Sequence, residues 1–114
     1  MLSYSESNKL IENNLSQLSL NSPPVELYEP IKYILALGGK RIRPCLTLMA
    51  HSIFSEDYTN VIYPSLGLEV FHNFTLLHDD IMDKSVKRRN HDSVHVKWNE
   101  NVAILSGDAM MILP

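Results

Sequence analysis

The sequence predicts an all-α protein. Apolar residues recur at helical spacing in several segments, first at Leu10, Ile11, Leu15 and Leu18. Glycine and proline separate these segments, as expected at helix boundaries. No segment alternates apolar and polar residues in the manner of a half-buried strand. We therefore expect an all-α fold built from several helices.

The first predicted helix begins after Ser3, because Ser3 and Glu6 have the spacing of a capping box. It is expected to end before the segment 21–24, Asn-Ser-Pro-Pro. A second helix is predicted to carry Pro30 in its first turn and to stop at Gly38-Gly39, since glycine accepts the left-handed conformation of a helix C-terminus.

Three further helices are predicted. Pro44 is expected to start one that ends near Phe54, followed by a loop over 55–60. The segment 61–82 is apolar almost all round, which is typical of a buried central helix. A polar, basic loop over 84–91 precedes a last helix from about Asn99. The chain stops at 110–114 in apolar residues, which suggests a fragment of a longer domain.

Composition limits the possible functions. The net charge is −3, which does not favour a nucleic-acid partner. Cys45 stands alone, so the chain has no disulfide framework, and we expect it to be a small core residue. The N-terminus lacks the pattern of a signal peptide, and no stretch is apolar enough to span a bilayer. The sequence therefore predicts a cytoplasmic protein in a reducing compartment.

The strongest candidate site is Asp79-Asp80-Ile81-Met82-Asp83. Asp79 and Asp83 are one helical turn apart, so their carboxylates leave the same face. Oxygen ligands of this kind suit Mg²⁺, which binds a few carboxylates together with substrate phosphates. Asp80 is rotated away from that face, and we expect it to pair with a basic residue or to support the ligands. The alternative is a solvated acidic helix end.

Two basic motifs flank these aspartates. Arg88-Arg89 follows them, and guanidinium groups bind phosphate oxygens through paired hydrogen bonds. The segment 38–44, Gly-Gly-Lys-Arg-Ile-Arg-Pro, precedes a predicted helix, where backbone and cations favour an anion. It lacks the spacing of a nucleotide P-loop. His72 lies seven residues before Asp79 and shares its face, although a lone histidine there is more often a core residue.

This ordered set of motifs resembles the trans-isoprenyl diphosphate synthases, or polyprenyl synthetases. Gly38–Pro44, His72, Asp79–Asp83 and Arg88-Arg89 match that family's motifs in order, and Leu105–Asp108 looks like its next helix. The resemblance implies the isoprenoid-synthase helical bundle and a prenyl transfer that elongates an allylic diphosphate with isopentenyl diphosphate.

The resemblance also implies roles for individual residues. Four of them would bind the diphosphate of isopentenyl diphosphate: Lys40, Arg43, His72 and Arg89. Arg88 would bind the allylic diphosphate, and Asp79 and Asp83 would coordinate Mg²⁺ ions bridging to it. The family's chain-length determinants lie just upstream of the aspartates, so Phe71, Phe74 and Thr75 are candidates here. By analogy we expect a product of medium length.

The sequence departs from the family pattern in one respect. No second aspartate-rich motif follows Asp83, and the later acids are isolated: Asp92, Glu100 and Asp108. We therefore expect residues 1–114 to be the N-terminal portion of a single synthetase domain and to be inactive alone. A non-catalytic partner subunit that dimerises with a full-length synthase and a class I terpene cyclase remain alternatives. We also expect the chain to associate with itself as a homodimer or a higher oligomer. The motif at 38–44 disfavours the cyclase, because a cyclase has no need of an isopentenyl diphosphate site.

Overall fold

The computed structural model describes residues 2–18, 20 and 24–111. These residues form six helices and one short antiparallel hairpin: α1 Tyr4–Ser16, α2 Val25–Ala36, α3 Ile42–Ser52, α4 Thr59–Met82, β1 Lys87–Arg88, β2 His91–Asp92, α5 Val94–Lys97 and α6 Glu100–Met111. The predicted all-α class is confirmed. No helix in the described ranges combines the length and the apolarity that crossing a bilayer requires.

The chain divides into two compact units. Unit 1 comprises Met1–Leu18 and Gly39–Glu69, within the described ranges, and in it α1 packs against α3. Unit 2 comprises Ser19–Gly38 and Val70–Pro114, again within those ranges. In unit 2, α6 packs against both α2 and α5. Helix α4 contributes its first half to unit 1 and its second half to unit 2.

Helix α1 begins as predicted. The Ser3 hydroxyl accepts a hydrogen bond from the Glu6 backbone N–H, and the Glu6 carboxylate accepts one from the Ser3 N–H. This reciprocal cap satisfies two backbone donors that a helix start otherwise leaves unpaired. Residues 21–23 of the predicted helix-ending segment lie outside the described residues, as does the end of the chain from residue 112.

Helix α2 ends as predicted but begins earlier. Gly38 and Gly39 follow it with φ angles of 83° and 150°, which glycine adopts at little cost. The prediction that Pro30 lies in the first turn is wrong, because α2 starts at Val25 and Pro30 lies inside it. The missing N–H of Pro30 removes one helical hydrogen bond, and the complete burial of its ring offsets that loss.

Helix α3 also begins earlier than predicted. Its first residue is Ile42, and Pro44 lies in its first turn, where a missing N–H removes no helical hydrogen bond. The residue before the helix, Arg41, has a φ of 55° in the left-handed region. A non-glycine residue there is strained unless its surroundings hold it in place.

Helix α4 was predicted to be buried on every side, and this is wrong within the described residues. Its buried residues form one stripe at helical spacing: Ser65, Leu66, Glu69, Val70, Asn73, Leu77 and Asp80. The opposite face leaves large apolar side chains exposed: Tyr63, Leu68, Phe71 and Met82. Covering a helix all round requires neighbours on all sides, and the described elements cover one stripe only.

The predicted loop over 84–91 contains the hairpin. Lys87 pairs with Asp92 and Arg88 with His91, and the turn between the strands consists of Arg89 and Asn90, with φ angles of 50° and 66°. Two positive φ angles are characteristic of a type I′ hairpin turn. The strands are too short for alternation to be visible in the sequence, and the single turn of α5 is too short for helical periodicity.

Helices α4 and α6 approach closely in unit 2 at His78 and Gly107. The His78 Nε2 atom lies 3.2 Å from the backbone oxygen of Ile104 and 3.8 Å from a carboxylate oxygen of Asp108. A Cβ atom placed on Gly107 would lie 2.3 Å from that same Nε2 atom. The absence of a side chain at residue 107 therefore permits this contact.

Two glycine substitutions should differ in their effects on stability. Gly107→Ala should fail to stabilise the chain, because overpacking against the His78 ring costs about 1–3 kcal/mol and offsets the gain of about 1 kcal/mol in helix propensity. Gly67→Ala, in α4, meets nothing within 4 Å and should raise the free energy of unfolding by about 1 kcal/mol. Urea unfolding of both variants measures the difference. Equal stabilisation by both would contradict the packing at His78.

Candidate active site

Two exposed carboxylates lie at the C-terminal end of α4: Asp79 in its last turn and Asp83 directly after it. The Asp83 N–H donates to the Asp79 carbonyl oxygen over 2.8 Å, so the two residues are one turn apart in the structure, as predicted. Neither carboxylate forms a hydrogen bond or ion pair with another side chain among the described residues. Lys84 follows with a φ of 54°, which turns the chain away from the helix. The two carboxylates therefore share an open surface.

Asp80 is the buried member of the aspartate motif. The Arg88 guanidinium binds its carboxylate through two hydrogen bonds. Nε donates to Oδ2 over 3.1 Å, and Nη2 donates to Oδ1 over 2.6 Å. These hydrogen bonds hold the pKa of Arg88 above its ordinary value. Asp80 thus pairs with a basic residue, one of the two arrangements expected from the sequence.

The hairpin separates the two adjacent arginines. Arg88 lies in β1 and turns towards Asp80, whereas Arg89 is an exposed residue of the tight turn. The Lys87 ammonium group donates to Asp92 over 2.8 Å across the strands, and this hydrogen bond lowers the pKa of Asp92. Arg88 and Arg89 therefore differ in surroundings although they are neighbours in sequence.

His72 and the three chain-length candidates lie on α4 within unit 2. His72 is half-buried, and its carbonyl oxygen accepts a hydrogen bond from the Thr75 hydroxyl over 2.6 Å. The rings of Phe71 and Phe74 are in contact, with centroids 5.4 Å apart, and Phe74 also meets the His78 ring edge-on at 4.8 Å. Phe71 is exposed, whereas Phe74 and Thr75 are half-buried.

The segment Gly38–Pro44 leads into α3 and presents Lys40 and Arg43 on the surface of unit 1. The backbone oxygen of Lys40 accepts hydrogen bonds from the Tyr4 hydroxyl and from Asn8 Nδ2, the latter over 3.3 Å. Both donors lie on α1. The backbone between the two cations is thereby tied to α1 in unit 1, and both residues are exposed.

Arg41 behaves differently from its neighbours. Its side chain is completely buried and pairs with Glu12 over 2.7 Å and with the buried Glu69. Burial alone lowers the pKa of the Arg41 guanidinium, but hydrogen bonds to Glu12 and Glu69 outweigh it and raise the pKa. Arg41 is therefore not one of the surface cations of this segment. Its partners are 29 and 28 residues away in sequence, so no local pattern identifies them.

The described residues contain no group of three or more His, Cys, Asp and Glu side chains arranged to enclose a metal ion. The open pair Asp79 and Asp83 nevertheless fits Mg²⁺, which takes one or two protein carboxylates and completes its shell with water and substrate phosphate oxygens. A closed cage would suit a structural metal better. The chemistry of the two donors thus matches a metal that arrives with its phosphate substrate.

Cys45 is fully buried, which confirms its predicted place in the core. Burial raises the pKa of the Cys45 thiol, so less of the reactive thiolate forms at neutral pH. In the folded chain we expect iodoacetamide to alkylate Cys45 roughly a hundredfold more slowly than in urea-unfolded chain, because reaction requires local opening. Mass spectrometry over time measures both rates. Similar rates would contradict the burial.

Comparison with known proteins gives a consistent result. A family model described as "Polyprenyl synthetase" matches residues 24–114. A geranylgeranyl pyrophosphate synthase of Geoglobus acetivorans is 39% identical over 102 residues, covering 90% of this chain and 32% of that protein. A geranylgeranyl diphosphate synthase of Methanosarcina mazei is 44% identical over 87 residues, covering 76% of this chain and 27% of that protein.

Solved structures agree. The crystal structure of a geranylgeranyl pyrophosphate synthase matches with a TM-score of 0.93 and 44% identity, covering 98% of this chain and 34% of that one. The Geoglobus acetivorans enzyme matches with a TM-score of 0.89 and 37% identity, covering 95% and 35%. The chain thus spans about a third of the length of these relatives. Since the family model covers most of the sequence, the chain belongs to the polyprenyl synthetase family.

Proposed function

We propose that this chain is part of a prenyltransferase that joins isopentenyl diphosphate to an allylic prenyl diphosphate. The observation that carries the proposal is the pair of exposed carboxylates at Asp79 and Asp83. They lie close in sequence to Arg88, whose guanidinium is held by two hydrogen bonds to Asp80. Carboxylates for a metal ion and an oriented guanidinium are the groups that hold a diphosphate as its charge increases. Two relatives of this chain are geranylgeranyl diphosphate synthases, which supports the same reaction class.

Asp79 and Asp83 would hold Mg²⁺, the cofactor implied by the family. When bound, the metal supplies positive charge that stabilises the departing diphosphate. Arg88 would bind the allylic diphosphate as well. Its Nε and Nη2 atoms face Asp80, and this pairing orients the guanidinium while Nη1 takes no part in the pair. Asp80 would thus serve the site by fixing Arg88.

We assign the diphosphate of isopentenyl diphosphate to Lys40 and Arg43, which are exposed on unit 1. The resemblance implies the same ligand for His72 and Arg89 in unit 2. Each group offers N–H donors suited to phosphate oxygens. We propose that three residues limit the length of the growing prenyl chain: Phe71, Phe74 and Thr75. The contact between the two phenylalanine rings restricts their movement, which supports this role.

The chemistry has three steps. The bond between the allylic carbon and its diphosphate oxygen breaks, and the electron pair leaves with the diphosphate. The double bond of isopentenyl diphosphate then attacks the allylic cation and forms a carbon–carbon bond. Loss of a proton restores a double bond. Residues of this chain bind and orient the two diphosphates and neutralise the charge that develops on the leaving group.

A chimera tests the proposal. The matching segment of the Geoglobus acetivorans synthase is replaced by this chain, and incorporation of radiolabelled isopentenyl diphosphate into extended prenyl diphosphates is measured. We expect Mg²⁺-dependent product of medium length from the chimera and none from the isolated 114-residue chain. A folded chimera that binds substrates without turnover would favour a non-catalytic partner subunit. Robust turnover by the isolated chain would show that its expected inactivity is wrong.

A further inference from the structure

We propose that Arg41 is a positioning residue, which fixes the turn at residues 38–43 so that Lys40 and Arg43 are presented to a diphosphate. The inference rests on the proposed function for what the turn binds. The Arg41 side chain is completely buried, so the residue would act through the backbone on either side of it. Three structural features support this role.

The first observation is the conformation of the turn. Gly38, Gly39 and Arg41 all have positive φ angles, of 83°, 150° and 55°. Glycine adopts such angles freely, but arginine does not. A residue in this region persists only where its surroundings determine its conformation. The strain is therefore located between the two cations that the turn presents.

The second observation is what holds Arg41. Its buried guanidinium bridges two helices, because Nε donates to Glu12 of α1 and Nη1 donates to Glu69 of α4. The planar fork of arginine supplies donors in fixed directions, which the ammonium group of lysine does not. The side chain thus fixes the position of the Arg41 backbone relative to both helices.

The third observation is the effect on the neighbouring groups. With the Arg41 side chain directed inwards, the Lys40 carbonyl oxygen meets Tyr4 and Asn8 of α1. The Arg41 carbonyl oxygen accepts the N–H of Cys45 over 3.0 Å, at the start of α3. The backbone is therefore held on both sides of residue 41, and the Lys40 and Arg43 side chains are left on the surface.

Titration of the full 114-residue chain with inorganic pyrophosphate tests this role, with ¹⁵N–¹H NMR spectra used to measure the affinity. Lys40→Met establishes whether the turn binds the probe. Arg41→Lys keeps the charge but removes the fork, and we expect it to weaken binding about tenfold, the scale found for partners that orient a ligating group. Leu48→Ala is the control, because it removes a buried core side chain of α3 without touching the turn.

Glu12→Ala separates positioning from electrostatics. Removing a negative charge near Lys40 should strengthen pyrophosphate binding if only charge matters, whereas loss of the Arg41 anchor should weaken it. We expect weaker binding for Glu12→Ala, together with shifted amide signals at residues 40–43. Glu56→Ala, an exposed carboxylate in a loop of the same unit, should leave the affinity unchanged.

The outcomes distinguish the two proposals. If Lys40→Met does not alter pyrophosphate binding, the diphosphate role of the turn is wrong, and with it the present inference. If Lys40→Met abolishes binding but Arg41→Lys and Glu12→Ala bind as tightly as the unmodified chain, the turn binds diphosphate and only the role of Arg41 is overturned. Equal weakening by Leu48→Ala would also overturn it, because general destabilisation would then explain the loss.

Discussion

Asp79→Asn in the chimera should lower kcat by about 10³-fold, equivalent to about 4 kcal/mol of transition-state stabilisation. Asparagine keeps the size of the side chain but removes the charge that a hard divalent cation requires. Asp79 is exposed and makes no side-chain hydrogen bond or ion pair within the described residues, so the fold should be unaffected. Steady-state assays at saturating Mg²⁺ measure the change, and circular dichroism checks the fold.

Glu100→Gln provides the matched control for this prediction. It neutralises another exposed carboxylate of unit 2, in the first turn of α6 and outside the aspartate motif. Its kcat should stay within about twofold of the unmodified chimera, because surface substitutions away from a site have small effects. Similar losses for both variants would show that net charge, and not a metal ligand, accounts for the Asp79 effect.

Arg41→Met should destabilise unit 1 of the chain by about 3–5 kcal/mol. The substitution leaves Glu69 buried without the cation that compensates its charge. Glu12 is affected less, because its side chain is 44% exposed and water can replace the lost partner. Urea unfolding, monitored by the circular dichroism signal of the helices, measures the change in the free energy of unfolding.

A double variant distinguishes the charge effect from lost packing. Arg41→Met with Glu69→Leu removes both buried charges, and pairs replaced in this way by apolar side chains often lose little stability. We therefore expect the double variant to recover most of the loss caused by Arg41→Met. If the double variant is as unstable as the single one, an uncompensated Glu69 is not the cause.

The features that could be predicted from the sequence are those whose partners lie a few residues apart. The Ser3–Glu6 cap and the glycine ending of α2 depend on local backbone chemistry, and the structure confirms both. The pairing of Asp80 with a basic residue followed from its rotation relative to Asp79 and from the nearby arginines. The two helix ends depend on the geometry of a single turn, and the partner of Asp80 lies eight residues further along the chain, at Arg88.

The features that could not be predicted depend on distant partners or on very short elements. The burial of Arg41 is set by Glu12 and Glu69, more than twenty residues away on either side. The exposed face of α4 depends on which helices pack against it, not on its own apolar content. The hairpin has strands of two residues, too short to show a period. Tertiary packing determines all three.

Isothermal titration of geranyl diphosphate into the 114-residue chain, with Mg²⁺ and then with EDTA, tests the claim that Asp79 and Asp83 bind a diphosphate through Mg²⁺. We expect binding that Mg²⁺ strengthens and that the double variant Asp79→Asn, Asp83→Asn loses, while Glu100→Gln retains it. Binding that is equally strong in EDTA, or unchanged in the double variant, would contradict the claim.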